Sequence, residues 1–140
     1  CAFVWSSRSL PELSTEINQA FRKQGWAEVE VEASAYGEDC LDPETNKIVR
    51  FTALQTDFFL NVSINSISDH QILGEWIEKS MRVLNEFPPG IVPGSNLGMI
   101  GISFKSSSDS VSLSFPISSC RKLLNEGLRG GELFDALINS

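Results

Sequence analysis

Two segments of this chain alternate apolar and polar residues with the period of a β-strand, and this pattern limits the fold more than any other feature. In residues 27–36 the apolar positions are Val29, Val31, Ala33 and Ala35. In residues 48–64 the clearest apolar positions are Phe58, Leu60, Val62 and Ile64. Successive side chains of a strand point to opposite faces, so each segment predicts one buried and one polar face. The second segment exceeds the usual strand length, and we expect a bulge or bend near Gln55–Asp57.

Two amphipathic helices accompany these strands. Residues 9–24 predict the first, because apolar residues recur there at helical spacing, namely Leu10, Leu13, Ile17, Ala20 and Phe21. Residues 69–87 predict a stronger one, with a wide apolar stripe that includes Ile72, Leu73, Trp76, Ile77, Leu84 and Phe87. So wide a stripe is typical of a helix that lies across a sheet and supplies much of the core. We therefore expect Trp76 to be buried.

The C-terminal part adds shorter elements. Residues 88–98 predict a loop rich in proline and glycine, and residues 98–105 and 110–115 predict two strands joined by a hairpin turn. Short helices are expected at about 118–126 and 131–138. The resulting order is helix, strand, strand, helix, strand, strand, helix (α-β-β-α-β-β-α). It predicts an α+β fold with a four-stranded antiparallel sheet and with helices packed on one face.

Composition excludes some functions. The chain has 140 residues, the length of a single domain, and its 11 basic and 18 acidic residues give a net charge of −7. Nucleic-acid binding requires an excess of lysine and arginine, so we expect no nucleic-acid partner. No apolar run is long enough for a transmembrane helix.

The sequence lacks the side chains of common catalytic sites. Its one histidine, His70, follows Ser68 and Asp69, but members of a catalytic triad meet in space rather than as sequence neighbours. We interpret His70 as an exposed residue in the first turn of a helix and predict no zinc site. The chain is therefore predicted not to be an enzyme. A hydrolase with dispersed carboxylates, such as Asp39, Asp42 and Asp57, is the third alternative for function.

Residues 37–47 predict a polar turn region, and its segment 38–46 is the richest in oxygen-bearing side chains. Asp42, Glu44 and Asn46 alternate, as oxygen ligands do at the start of calcium-binding loops. The segment lacks the glycine and the distal glutamate of an EF-hand, and the same residues are typical of a plain turn. Calcium at Asp42, Glu44 and Asn46 is the weak alternative to a plain turn.

The chain begins Cys1-Ala2-Phe3-Val4-Trp5. A cysteine as first residue resembles a mature bacterial lipoprotein, in which a signal peptide is removed before a cysteine whose sulfur carries a lipid. The resemblance covers this one residue. It implies lipid attachment at Cys1 and a location at the cell membrane or cell envelope, on the extracytoplasmic face. Residues 1–8 are then a lipid anchor or N-terminal arm, and residues 9–140 a single α+β domain. We predict no cofactor apart from a lipid on Cys1.

The resemblance has consequences for residues near the anchor and for the remaining cysteines. Few residues separate Cys1 from the first helix, so Phe3 and Trp5 are predicted to contact the membrane or a partner. The alternative is a first strand or arm that packs on the body. The oxidising compartment favours a disulfide between Cys40 and Cys120, and the alternative is two separate buried thiols.

We therefore expect a lipid-anchored extracytoplasmic domain that acts through protein contacts, as an accessory or assembly subunit of a membrane or cell-envelope complex. Its partners would be the membrane, through the lipid, and a protein of that complex. The alternative is a lipoprotein that binds a small ligand or calcium through the 38–46 loop or the 88–98 loop.

Overall fold

The computed structural model describes residues 1–88, 92–94 and 96–139. The strands in this part of the chain are β1 (Ala2–Ser9), β2 (Val29–Leu41), β3 (Ile48–Ser63), β4 (Asn96–Lys105) and β5 (Ser110–Pro116). The helices are α1 (Pro11–Lys23), α2 (His70–Leu84), α3 (Ile117–Asn125) and α4 (Gly130–Ile138). The predicted α+β class is confirmed, and the predicted elements lie within a few residues of these bounds, except that β2 continues well beyond residue 36.

The strands form one mixed sheet in the order β1-β2-β3-β4-β5. All neighbouring pairs are antiparallel except β3 and β4, which are parallel. The predicted four-stranded antiparallel sheet is therefore wrong in both strand number and direction. The parallel pair follows from α2, which carries the chain back to the edge where β3 began, so that β4 runs in the same direction as β3.

The fifth strand is the N-terminal segment. Residues 2–9 pair with residues 34–41 of β2 in unbroken register, from Ala2 opposite Leu41 to Ser9 opposite Ser34. The element order is thus β-α-β-β-α-β-β-α-α rather than the predicted α-β-β-α-β-β-α. β1 also crosses the predicted boundary between an arm at 1–8 and a domain at 9–140. The strand alternative for this segment is the one that the structure contains.

The core lies on one face of the sheet. Alternate residues of β2, β3, β4 and β5 form a single apolar cluster with residues from all four helices. Helix α2 contributes most among the helices, with buried side chains that include Leu73, Trp76, Ile77, Met81 and Leu84. Trp76 is only 7% exposed, which confirms its predicted burial.

Helix α1 closes the edge of β2 where β1 ends. The Asn18 side chain donates to the carbonyl oxygen of Val31 and accepts from its N–H. The Ser14 hydroxyl accepts from the N–H of Ala33, and the Leu10 N–H donates to the Ala33 carbonyl oxygen. These side chains satisfy backbone groups that would otherwise need a strand neighbour.

The predicted irregularity near Gln55–Asp57 is confirmed. Tyr36 pairs with Gln55 and Gly37 pairs with Ala53, so Leu54 has no opposite residue on β2. A second register shift lies between Thr56 and Phe58 on the β4 side. There the Asp57 carboxylate accepts hydrogen bonds from the Met99 N–H over 2.8 Å and from the Gln55 amide over 2.9 Å.

Candidate contact surface

One end of the sheet extends beyond the helices. β4 begins at Asn96, opposite Gln55, whereas β1, β2 and β3 continue past this point. We call this part the three-stranded end, and it comprises residues 2–7, 36–41 and 48–54. It contains both residues predicted from the sequence to contact a membrane or partner, Phe3 and Trp5.

The three-stranded end carries most of the exposed apolar surface. Nine large apolar side chains are exposed in the described part of the chain. Six of them belong to this end, namely Phe3, Val4, Trp5, Ile48, Val49 and Leu54. The other three are Phe59, Ile72 and Ile138. These six lie on β1 and β3, on either side of β2. Single exposed apolar residues are ordinary, but a concentration at one end of a sheet is typical of an interaction site.

Aromatic side chains line one face of this end. The Trp5 ring stacks on the Tyr36 ring, with centroids 5.5 Å apart and planes 5° from parallel. Phe3 lies two residues from Trp5 along the same strand, so its side chain points to the same face. Phe3 and Trp5 are each 60% exposed. The stack holds Trp5 in a fixed orientation although most of its surface meets solvent.

The other face is held by an ion pair. Arg8 donates to the Asp39 carboxylate over 2.9 Å, and its guanidinium lies 4.6 Å from the centre of the Phe51 ring. Asp39 is nearly buried, and this bond supplies the partner that a buried carboxylate needs. The pair thus joins β1 to β2, and the cation–π contact extends the link to β3.

The carboxylates of the hydrolase alternative are not brought together. Asp57 lies opposite Ser34, and Asp39 lies five residues further along β2, a separation of about 17 Å at the usual rise per residue. The Asp39 carboxylate is paired with Arg8. The Asp57 carboxylate accepts a hydrogen bond from the Met99 N–H at the register shift between β3 and β4. Each carboxylate therefore has a structural partner of its own.

Cys40 forms a disulfide with Cys1, and their Cα atoms are 5.3 Å apart. The predicted pairing of Cys40 with Cys120 is therefore wrong. The register of β1 explains the change, because Phe3 lies opposite Cys40 and brings Cys1 beside it. Cys120 lies in α3, which packs on β4 and β5 rather than on the three-stranded end.

The disulfide and the predicted lipid require the same sulfur atom. A thioether to lipid and a disulfide to Cys40 cannot both form at Cys1 in one molecule. Lipid attachment at Cys1 stays a prediction, and the structure gives this sulfur a different partner. The two states are therefore exclusive alternatives for each molecule.

Cys120 is a free thiol, and it is fully buried. Burial raises the pKa of this thiol from 9.0 to about 12, because the charged thiolate is poorly solvated in the core. The neighbouring Arg121 opposes this shift, and Glu78 adds to it. Cys120 is thus a neutral core side chain at physiological pH, as expected of an unreactive cysteine.

The loop considered for calcium is a hairpin turn. The Asp42 carboxylate accepts from the Glu44 N–H over 2.9 Å, and the Asn46 N–H donates to the Asp42 carbonyl oxygen over 2.8 Å. Asn46 has a φ of 61°, a left-handed conformation that asparagine tolerates in turns. No group of three metal-ligating side chains occurs within the described residues. Calcium binding by Asp42, Glu44 and Asn46 stays a prediction. Ligand binding by the 88–98 loop also stays a prediction. Residues 89–91 and 95 of that loop lie outside the described residues.

His70 connects two helices. Its Nδ1 lies 2.7 Å from a carboxylate oxygen of Asp135, and its ring lies 4.7 Å from the Phe134 ring. His70 begins α2 and is exposed, as expected from the sequence, whereas Asp135 belongs to α4. The contact with Asp135 could not be found in the sequence, because 65 residues separate the two partners.

Comparisons with protein-family models, with curated proteins and with solved structures find no significant match to this chain. Within the described residues, no helix is long and apolar enough to cross a membrane.

Proposed function

We propose that this protein acts through protein contacts at the three-stranded end, as an accessory or assembly subunit of a membrane or cell-envelope complex. The observation that carries the proposal is the pair of exposed aromatic side chains, Phe3 and Trp5, on one face of this end. Burial of apolar surface against a partner would stabilise a complex by roughly 25 cal/mol per Å² before the costs of association.

The composition of the surface supports a protein partner. Interface centres are enriched in tyrosine, tryptophan and phenylalanine, and Phe3, Trp5 and Tyr36 supply all three. Tyr36 also fixes Trp5 by stacking, which reduces the side-chain entropy that Trp5 would lose on binding. A preorganised tryptophan is typical of an interface hot spot.

The disulfide supports an extracytoplasmic location. Structural disulfides persist in oxidising compartments and are rare in the cytosol. The Cys1–Cys40 bond joins the start of β1 to β2, and so it holds the strand that carries Phe3 and Trp5. We infer that an oxidising compartment is needed to keep this surface ordered.

Lipid at Cys1 would add membrane attachment to this proposal. The intact mass of the native protein separates the alternatives, because a disulfide makes the chain lighter by two hydrogen atoms and an acyl group makes it heavier. In a lipidated molecule the Cys1–Cys40 bond is absent, and β1 is then held by its pairing with β2 and by the Arg8–Asp39 ion pair.

The experiment is extraction of the native complex under gentle conditions, followed by sizing. The test variant is Phe3→Ser/Trp5→Ser, and the matched control is Ile72→Ser/Ile138→Ser, which removes two exposed apolar side chains elsewhere. We expect the wild type and the control to migrate in a complex and the test variant to migrate as a free chain. If the test variant stays in the complex, or if the wild type is itself only a free monomer, the proposal is wrong.

A further inference from the structure

The edges of this sheet differ in how they are protected. β2 continues past the last residue that pairs with β1. There its backbone groups at Val31 and Ala33 are bonded by Asn18, Ser14 and Leu10. The opposite edge strand, β5, exposes mainly Ser110, Ser112 and Ser114 before it ends at Pro116. Proteins protect sheet edges in such ways because open edges pair with other chains.

β1 lacks these protections. Within the described residues it has a strand neighbour on one side only, and it contains no proline, lysine or register shift. Arg8 is the one charged residue of β1, and its guanidinium forms an ion pair with the Asp39 carboxylate. Phe3, Val4 and Trp5 are exposed along it. The least protected edge is therefore also the most apolar one.

The register shows which backbone groups of β1 are free to pair. The Leu10 N–H donates to the Ala33 carbonyl oxygen, so the N–H of residue 10 points toward β2. Residues that point this way alternate along an antiparallel ladder, and Arg8, Ser6 and Val4 are therefore the next residues bonded to β2. The N–H and C=O groups of the intervening residues point away from the sheet, and these residues are Ser7, Trp5 and Phe3.

We propose that β1 accepts an extended, neutral or basic segment of another protein as an added strand. The inference rests on the proposed function and specifies the mode of contact and the chemistry of the partner. Backbone hydrogen bonds to Phe3, Trp5 and Ser7 would give affinity, and alternate side chains of the added strand would contact the Phe3 and Trp5 rings.

Charge disfavours acidic partners, including a second copy of this chain. The chain carries a net charge of −7, so two copies repel each other. On β2, the half-buried Glu38 lies opposite Trp5. The cation of Arg8 is already paired with Asp39. A lysine or arginine on the added strand would be attracted by the net negative charge of the chain, which favours the encounter.

The probe is a capped eight-residue peptide that alternates valine and lysine, compared with one that alternates valine and glutamate. Backbone amide exchange of the whole chain is measured by NMR with and without each peptide. We expect the valine–lysine peptide to slow exchange at Phe3, Trp5 and Ser7 by about tenfold or more. The amides of Val4 and Ser6 are already bonded to β2, so their exchange should change little. No protection of the outward amides, or equal protection by both peptides, overturns the proposal.

A proline at an outward position tests the backbone requirement. Ser7→Pro removes an N–H that points away from β2, which an edge strand tolerates, and thermal melting checks that the variant folds. We expect Ser7→Pro to weaken binding of the valine–lysine peptide by about tenfold or more, since a hydrogen bond is lost and the ring obstructs pairing. Ser7→Ala is the control and should bind like the wild type.

The two proposals fail in different ways. If Phe3→Ser/Trp5→Ser abolishes peptide binding while Ser7→Pro binds normally, strand addition is wrong and the contact surface stands. If the native complex forms without Phe3 and Trp5, the proposed function is wrong whatever the peptides do. Loss of binding in Ser7→Pro with normal binding in Ser7→Ala supports strand addition.

Discussion

The Asn18 side chain binds both backbone groups of Val31, donating to the carbonyl oxygen over 2.9 Å and accepting from the N–H over 2.8 Å. An α1 side chain thus takes the place of a strand neighbour at the point where β1 no longer covers β2. The same sheet leaves β1 without such a cover, and β1 carries Phe3 and Trp5. The difference between these two edges underlies our account of the three-stranded end.

Replacement of Asn18 tests this description of the fold. Asn18→Ala leaves two backbone groups of the buried Val31 without partners, and we expect it to lower the free energy of unfolding by about 1–3 kcal/mol. Gln19→Ala is the matched control, because Gln19 is the next residue on the exposed side of the same helix. Its effect should stay within about 0.5 kcal/mol. Urea denaturation measures both, and equal effects would contradict the bonding role of Asn18.

Two tryptophans should differ sharply in their contribution to stability. Trp76 is 7% exposed and packs edge-on against Trp26, with centroids 6.4 Å apart. We expect Trp76→Ala to lower the free energy of unfolding by about 3–5 kcal/mol. Trp5→Ser removes a largely exposed side chain and should cost less than about 1 kcal/mol. A similar loss of stability in both variants would mean that Trp5 belongs to the core.

The disulfide should stabilise the free protein. Cys1 and Cys40 are 39 residues apart, and closing such a loop contributes about 4 kcal/mol on the chain-entropy model. We expect reductant to lower the free energy of unfolding of the wild type by up to that amount. Cys1→Ser/Cys40→Ser should be unaffected by reductant. A wild type whose urea midpoint does not move on reduction would contradict the presence of the bond.

Cys120 should make stability depend on alkaline pH. Its pKa is about 12 in the folded chain, above the ordinary 9.0, because the buried thiolate is poorly solvated. A raised thiol pKa favours folding while the group is neutral, so this contribution is complete below pH 9 and is lost as the pH rises from 9 toward 12. We expect the difference in unfolding free energy between wild type and Cys120→Ala to shrink over this range. A difference that stays constant up to pH 12 would show that Cys120 is not shielded.

The sequence predicts the buried strands and helices well, because the spacing of apolar residues that marks each of them lies within one segment of the chain. Apolar alternation at Phe58, Leu60 and Val62 determined β3, and the stripe around Trp76 determined α2. β1 was missed as a definite strand because none of its residues is buried, so burial leaves no alternation in the sequence. The direction of β4 depended on how α2 crosses the sheet, which no single segment encodes.

The contact surface was only partly predictable. Phe3 and Trp5 were identified because aromatic residues are conspicuous in a short N-terminal segment. Ile48 and Val49, on β3, read as part of an ordinary strand, because nothing local in the sequence shows that β4 begins only opposite Gln55. The Cys1–Cys40 bond likewise follows from the register of β1 against β2, a long-range feature.

Side-chain footprinting tests the central claim most directly. A carbene label is applied to the isolated chain and to the chain in its native complex, and labelling is quantified residue by residue. We expect Phe3, Trp5 and Val49 to lose most of their labelling in the complex while Ile72 and Ile138 keep theirs. Unchanged labelling at the three-stranded end, or protection only at Ile72 and Ile138, would contradict the account.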